Sequence, residues 1–467
     1  MNENEKDCRN VTRRRFMGEA SCAAVSGSAA LGSLLNLNLM GKLAAEEVPE
    51  GDDYRALVCV FLAGGNDSFN MLVPRGEDEF GEYAAIRGNL ALSRGELLPV
   101  TSPGITGKSF GLHPSLTKIR NLYSEGQAAF IANVGTMKEK ASKEHLSQNT
   151  DLYPDGLFSH SDQQRQWHTS LPDRTATSGW FGRLSNLTDD LNGEHNFASS
   201  ISLNGTNLLQ TAAGNIPYVV EPSGPRGLSQ WDDPAWAYGR AAVRSQLDLE
   251  YNNLIQKTFI RRKKLAMELN EVFGDALDAL APEERSIGES KLGDQLEMVL
   301  KAIKVRETLG VKRQTFFVFL GGWDLHSSLL NPHQALLDQL DDALGDFQTA
   351  LNSAGLSEQV TTFTASDFGR SLTSNGQGSD HAWGGHQLVM GGAVNGGDVY
   401  GQYPDLYQGA PLDLGRGRIV PTTSVDEYFA EMACWFGISR QQLPLIFPNI
   451  ERFLDLGGNA QPLGFMS

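Results

Sequence analysis

Six acidic and imidazole side chains stand where a site can be built: Asp67, Asp324, His326, Asp367, His381 and His386. Asp67 closes the turn Gly64-Gly65-Asn66-Asp67. Asp324 and His326 close Gly321-Gly322-Trp323-Asp324-Leu325-His326. Asp367 opens a glycine-rich loop that carries Arg370, Asp380, His381 and His386. Carboxylate oxygens and imidazole nitrogens are the donors that hard or borderline divalent cations take. Such a set, with no thiolate in it, suits one or two ions of Zn²⁺, Mn²⁺, Mg²⁺ or Ca²⁺. Two ions could hold the attacking and departing oxygens of a displacement at phosphorus or sulfur, and Arg370 could clamp an anionic oxygen. A fourth stretch, Ser159-His160-Ser161-Asp162, is dense in nucleophile and base types. The same residues also describe a capped helix start.

Each acidic turn is delivered by an apolar run. Tyr54 to Ala63, Thr315 to Leu320 and Val360 to Ala365 read as buried parallel strands, and Ala128 to Val134 as a fourth. Residues 387–392 and 399–403 read as short strands. A helix with a stripe of Leu116, Ile119, Leu122 and Tyr123 precedes the 128–134 strand, with His113 as a structural residue at its start. Another, capped near Asn331-Pro332, carries Leu336, Leu337, Leu340, Leu344, Phe347 and Leu351. Ser424 and Glu427 have capping-box spacing. This alternation predicts an α/β fold with a mostly parallel central sheet flanked by helices. In such a sheet the strand carboxyl ends share one edge, so the acidic turns converge if their strands are neighbours. Residues 197–310 read as a largely helical insertion, and its cluster Arg261-Arg262-Lys263-Lys264 as a solvated helical face.

The 467 residues, 40% hydrophobic and 20% charged, suffice for one large globular domain over residues 50–467. A net charge of −17 excludes a nucleic-acid binder and disfavours electrostatic docking on an anionic membrane. Cys59 and Cys434 read as buried small hydrophobes, with a disulfide between them left open. Residues 1–45 read as an address. Arg13-Arg14-Arg15 precedes a weakly apolar stretch from Ala20 to Met40, with small residues at Ala44 and Ala45 for cleavage. That is the pattern of twin-arginine export, with the Tat translocase as a transient partner and a periplasmic or extracellular destination. No membrane span is expected in the mature chain.

Taken together, the Tat-type start, GGND, the Ser-His motif, GGWDLH and the segment SDFGR…DH…GGH resemble the domain of unknown function 1501. That family is similar to the alkaline-phosphatase-like superfamily, which includes sulfatases. The resemblance implies metal ligands at Asp67, Asp324, His326, Asp367 and a late histidine, His381 or His386. It implies a nucleophile at Ser159, with Ser161 and Ser68 as rivals. The chain departs from the superfamily at Phe368, where a second histidine is usual, and in the short spacing of Asp324 and His326. It has no C-x-P-S-R context for formylglycine. The expectation is an exported, metal-dependent hydrolase of small anionic phosphate or sulfate esters, with Ser159, His160 and Arg370 in catalysis. The rival is a binding or assembly protein on the same fold.

Overall fold

Arg55–Ala63 (β1) is buried along almost its whole length, because apolar residues at every position let it pack on both faces. The computed structural model describes residues 53–467 except 193–195, 214, 216, 226–232, 282–283 and 459–460. The export segment expected over residues 1–45 lies outside the described residues. The other strands are Leu72–Pro74 (β2), Leu98–Val100 (β3), Phe110–Leu112 (β4), Ala128–Gly135 (β5), Ser200–Ser202 (β6), Tyr218–Val219 (β7), Arg313–Gly321 (β8), Val360–Ser366 (β9), Gly385–Met390 (β10), Val399–Tyr400 (β11) and Thr423–Ser424 (β12). β2, β4 and β3 make a small antiparallel sheet; the rest form the main sheet, in the order β11-β5-β10-β9-β1-β8-β6-β7, with β12 also on β5.

β1 pairs in parallel with β8, from Arg55↔Arg313 to Ala63↔Gly321, and with β9 on its other side, from Ala56↔Val360 to Leu62↔Ser366. The three acidic turns therefore leave adjacent strands at one edge. β10 runs antiparallel to both β9 and β5, so the loop between β9 and β10 stays at that edge. Side chains alternate along β1. Ala56, Val58, Val60 and Leu62 pack with Ile119, Leu296, Leu337 and Leu344, from the helices Thr117–Ser124, Lys291–Lys304 and Leu330–Ser353. Leu57, Cys59, Phe61 and Ala63 pack with Trp180, Leu184, Phe429 and Met432, from Trp180–Thr188 and Val425–Phe436. The result is a three-layer α/β arrangement. The last of these helices starts on the expected capping box of Ser424 and Glu427.

The expected insertion is narrower than 197–310. β6 and β7 extend the main sheet beyond β8, and Lys291–Lys304 is a buried core helix. Its charged residues mask an apolar face that lies on the sheet. Among the described residues of that stretch, the helices Ala237–Leu247 and Leu254–Asp278 stand largely apart from the core. Cys59 and Cys434 are free, so the disulfide left open by the sequence is not formed.

Candidate metal centre

Glycine allows the strand-end turns to meet. Gly64 has φ +119°, and a Cβ there would lie 2.4 Å from the backbone nitrogen of Asp324. Gly65 has φ +84°, and its Cβ would lie 2.5 Å from the ring of Phe368. At Gly378 the clash would be with the backbone of His326, at 2.4 Å. Larger residues would hold the β1, β8 and β9 turns apart.

Within this junction, three imidazoles gather around one carboxylate oxygen. Asp324 Oδ1 lies 3.1 Å from His326 Nε2, 3.3 Å from His381 Nε2 and 3.5 Å from His160 Nε2. His326 Nε2 and His381 Nε2 are 2.8 Å apart. His160, Asp324 and His381 each bring a donor atom within 4.8 Å of the others. Four donors about 2.0–2.2 Å from a tetrahedral ion stand roughly 3.3–3.6 Å from one another. The contacts to Asp324 lie close to that spacing.

Each ring is held from its far side. His160 Nδ1 is 2.6 Å from Asp367 Oδ2, His381 Nδ1 is 2.7 Å from the carbonyl of Phe158, and His326 Nδ1 is 3.4 Å from Asp380 Oδ1. A carbonyl can only accept, so His381 carries its proton on Nδ1 and turns a lone pair on Nε2 into the cluster. Asp367 imposes the same tautomer on His160, whose buried Nε2 has no hydrogen-bond partner. An acceptor behind each ligating imidazole is the usual support of a metal-bound histidine. Phe158 takes a left-handed φ of +74° to aim its carbonyl, an uncommon conformation for a bulky residue. Burial lowers the His381 pKa and so favours the neutral, ligating ring. Burial would raise Asp324, but the Arg370 guanidinium outweighs it and holds the carboxyl below its usual range. Asp324 and His326 remain nearly half exposed, so the cluster opens to solvent.

Some expected residues take other parts. Asp67 is fully buried in an ion pair with Arg87, which also donates to the carbonyls of Ser371 and Leu372. That pair uses Oδ2; Oδ1 is buried without a hydrogen-bond partner. Asp367 stands behind His160: its Oδ1 accepts from Gly64 N at 3.1 Å, and its Oδ2 accepts from His160 and from Gln164 Nε2 at 3.0 Å. His386 lies in the core against Tyr403 and Phe69. Its Nδ1 accepts from Asn133 N, and burial lowers its pKa to about 3. Arg370, expected to clamp an anion, donates to Asp324 Oδ1 at 2.5 Å and to the carbonyls of Gly64, Gly65, Trp323 and Ser379. It ties the turns together. His160, expected in catalysis, turns its Nε2 toward Asp324 Oδ1. Ser68 accepts from His386 N and is buried. Ser159 is the N-cap of the helix His160–Thr169 but makes no capping bond; its hydroxyl lies 3.3 Å from that of Ser161. Phe368 packs on His160 and His381, with ring centroids 4.8 and 4.5 Å away. Arg87 and Gln164 carry no local signal in the sequence that marks them for the site.

An α/β protein with a candidate metal centre at the carboxyl edge of a mostly parallel sheet is the class that this fold and site define. The chain belongs to the family described as "Protein of unknown function (DUF1501)", which it matches over residues 54–444. No curated protein matches it by sequence. Solved structures similar to it include the sulfatase PsFucS1 from Pseudoalteromonas sp., at 9% identity and TM-score 0.33, covering 83% of this chain and 68% of that one. Another is the soluble domain of lipooligosaccharide phosphoethanolamine transferase A from Neisseria meningitidis, at 9% and 0.35, covering 86% and 95%. A third is the C-terminal periplasmic domain of EcEptC from Escherichia coli in complex with Zn, at 11% and 0.28, covering 73% and 74%.

Proposed function

We propose that the protein is an exported, metal-dependent hydrolase of phosphate or sulfate esters, working with one divalent cation held by His160, Asp324, His326 and His381. Its main support is the convergence of three Nε2 atoms on Asp324 Oδ1 while each Nδ1 faces an acceptor. Three nitrogens and one oxygen favour a borderline ion such as Zn²⁺ or Mn²⁺ over Mg²⁺ or Ca²⁺. The ion pair of Asp67 with Arg87, and the engagement of Asp367 with His160, argue for one cation rather than two. The ester class comes from the motif resemblance, and export from the twin-arginine run before an apolar stretch.

A bound cation would polarise an ester oxygen and favour the ionised serine. Ser159 Oγ attacks phosphorus or sulfur, and the ester oxygen leaves with a proton as an alcohol. Water then cleaves the seryl ester, releasing phosphate or sulfate and restoring Ser159. Ser161 offers a hydroxyl 3.3 Å away to share the serine proton. Phe368 covers one side of the imidazoles, and Arg370 holds the Gly64 and Asp324 turns in place.

The test combines metal analysis with assays on p-nitrophenyl phosphate and p-nitrophenyl sulfate. One cation per chain is expected, with kcat/KM lowered at least about 10²-fold by Ser159→Ala. Failure to take up Zn²⁺ or Mn²⁺ would overturn the metal assignment, and activity untouched by the substitution would remove Ser159. A binding role without hydrolysis draws on a different observation: Arg370 already donates to Asp324 Oδ1, the oxygen that would take the cation. Tight metal binding without turnover of any ester favours that role.

A further inference from the structure

The helices Ala237–Leu247 and Leu254–Asp278 carry a surface that neither the fold nor the metal centre uses. Leu254, Ile255 and Phe259, in the first turns of the longer helix, are 77, 79 and 65% exposed. These are large apolar groups, in contrast to the isolated half-exposed residues of an ordinary surface. The opposite face of the long helix is the packed one: Lys264, Met267 and Glu271 line a cleft with Arg244 and Leu247 of the shorter helix. The apolar face is thus turned away from the helical pair's own contact.

Charge marks the same place. Residues 237–267 contain seven Lys and Arg against two Asp and Glu, in a chain of net charge −17. Helical spacing puts Lys257 and Arg261 along one flank of the Leu254, Ile255 and Phe259 face and Lys263 along the other. Lys264 is paired with Asp248 at 2.5 Å. The first fully buried residue of the long helix is Phe273. At about 1.5 Å per residue, Leu254 lies roughly 28 Å from that anchor. That is several times the Debye length of about 8 Å, so the acidic body does not cancel the local field. Net charge disfavours membrane docking for the chain as a whole, and the local charge reverses that at this site.

We propose that this helical pair docks the protein peripherally on an anionic bilayer. Leu254, Ile255 and Phe259 enter the headgroup boundary, and the basic flanks face anionic lipid. Apolar residues on one face with Lys and Arg on either side are the pattern of interfacial helices. No described helix is long and apolar enough to cross a membrane. The proposal does not depend on the metal centre.

Co-sedimentation of the full chain with phosphatidylcholine vesicles, with and without 30% phosphatidylglycerol, tests it. Binding should be at least about tenfold stronger on the anionic vesicles and should weaken in high salt. Two double variants, Ile255→Ser with Phe259→Ser and Arg261→Glu with Lys263→Glu, should each lower it about tenfold without changing Tm. Residues 1–45 are common to every variant, so anionic binding that survives both pairs unchanged overturns the proposal. Equal binding to both vesicle types, or none, also overturns it. So does sedimentation without lipid that the same variants abolish, since that identifies a second copy as the occupant.

Discussion

Asp367 stands behind His160, and that sets what its loss should do to the proposed centre. Asp367→Asn leaves four donors in place but weakens the hold on the His160 tautomer. Zn²⁺ affinity should fall about 10–100-fold with the fold intact, as measured by competition with a chromogenic chelator. An unchanged affinity would deny Asp367 that role. Arg87 makes a sharper prediction for stability. Arg87→Ala leaves the Asp67 carboxylate buried without its partner, so urea denaturation should show a loss of about 3–5 kcal/mol. A loss below 1 kcal/mol would mean that Asp67 has another partner. The sequence displayed Asp67, Asp324 and Asp367 because each follows a buried run. It could not assign their partners. Arg87 lies 20 residues beyond Asp67, at the last turn of the helix Glu77–Arg87, where an arginine is commonplace. Asp367 reaches His160 across 207 residues, and nothing in local spacing encodes that contact.

At the scale of elements, the strand-end turns are legible because Gly-Gly after an apolar run has a single physical use here. Gly64→Ala would force a left-handed residue against the Asp324 backbone at 2.4 Å. It should cost about 1–3 kcal/mol and displace Asp324, so Tm and Zn²⁺ affinity should fall together. Loss of Tm alone would separate the turn from the centre. The helix Val425–Phe436 was equally legible from Ser424 and Glu427, yet it hides a charge. Burial raises the Asp426 pKa to about 7, from 3.8 in the open chain. Between those values the folded chain keeps a proton that the unfolded chain has released. This contribution to stability is therefore full below about pH 4 and is lost as pH rises through about 7. Asp426→Asn should raise stability above pH 7, on the order of 2 kcal/mol, and leave it nearly unchanged near pH 4. Denaturation midpoints at the two pH values decide this. The helix Lys291–Lys304 was misplaced for the opposite reason, since its lysines and acids resemble a solvated surface while its apolar face lies on the sheet.

For the whole molecule, strand order was the quantity least available from sequence. Apolar runs identify strands, but β8 and β9 flank β1 only through pairings that span about 250 to 300 residues. That order is what turns scattered acids and histidines into one centre, and it also divides the histidines into two populations. His160, His326 and His381 face the cluster, whereas His113, His333 and His386 are buried in the core and His168 is largely covered among aromatic rings. Burial lowers His113, His168 and His386 to about 4, 4 and 3. An unfolded histidine titrates near 6.5, so stability from these rings is present above that pH and lost as pH falls through about 4. Acid would also release a metal from the proposed centre, because protonated imidazoles do not ligate. The two can be separated by comparing EDTA-treated and Zn²⁺-loaded protein. In EDTA the denaturation free energy should still decline from about pH 6.5 to 4, since the buried rings need no metal. His168 sits between Phe61 and Phe317 with its Nε2 unpartnered, so His168→Phe should fit and remove about one proton from that dependence. If the decline vanishes on metal removal, or if His168→Phe leaves its slope unchanged, acid sensitivity belongs to the centre and not to the core.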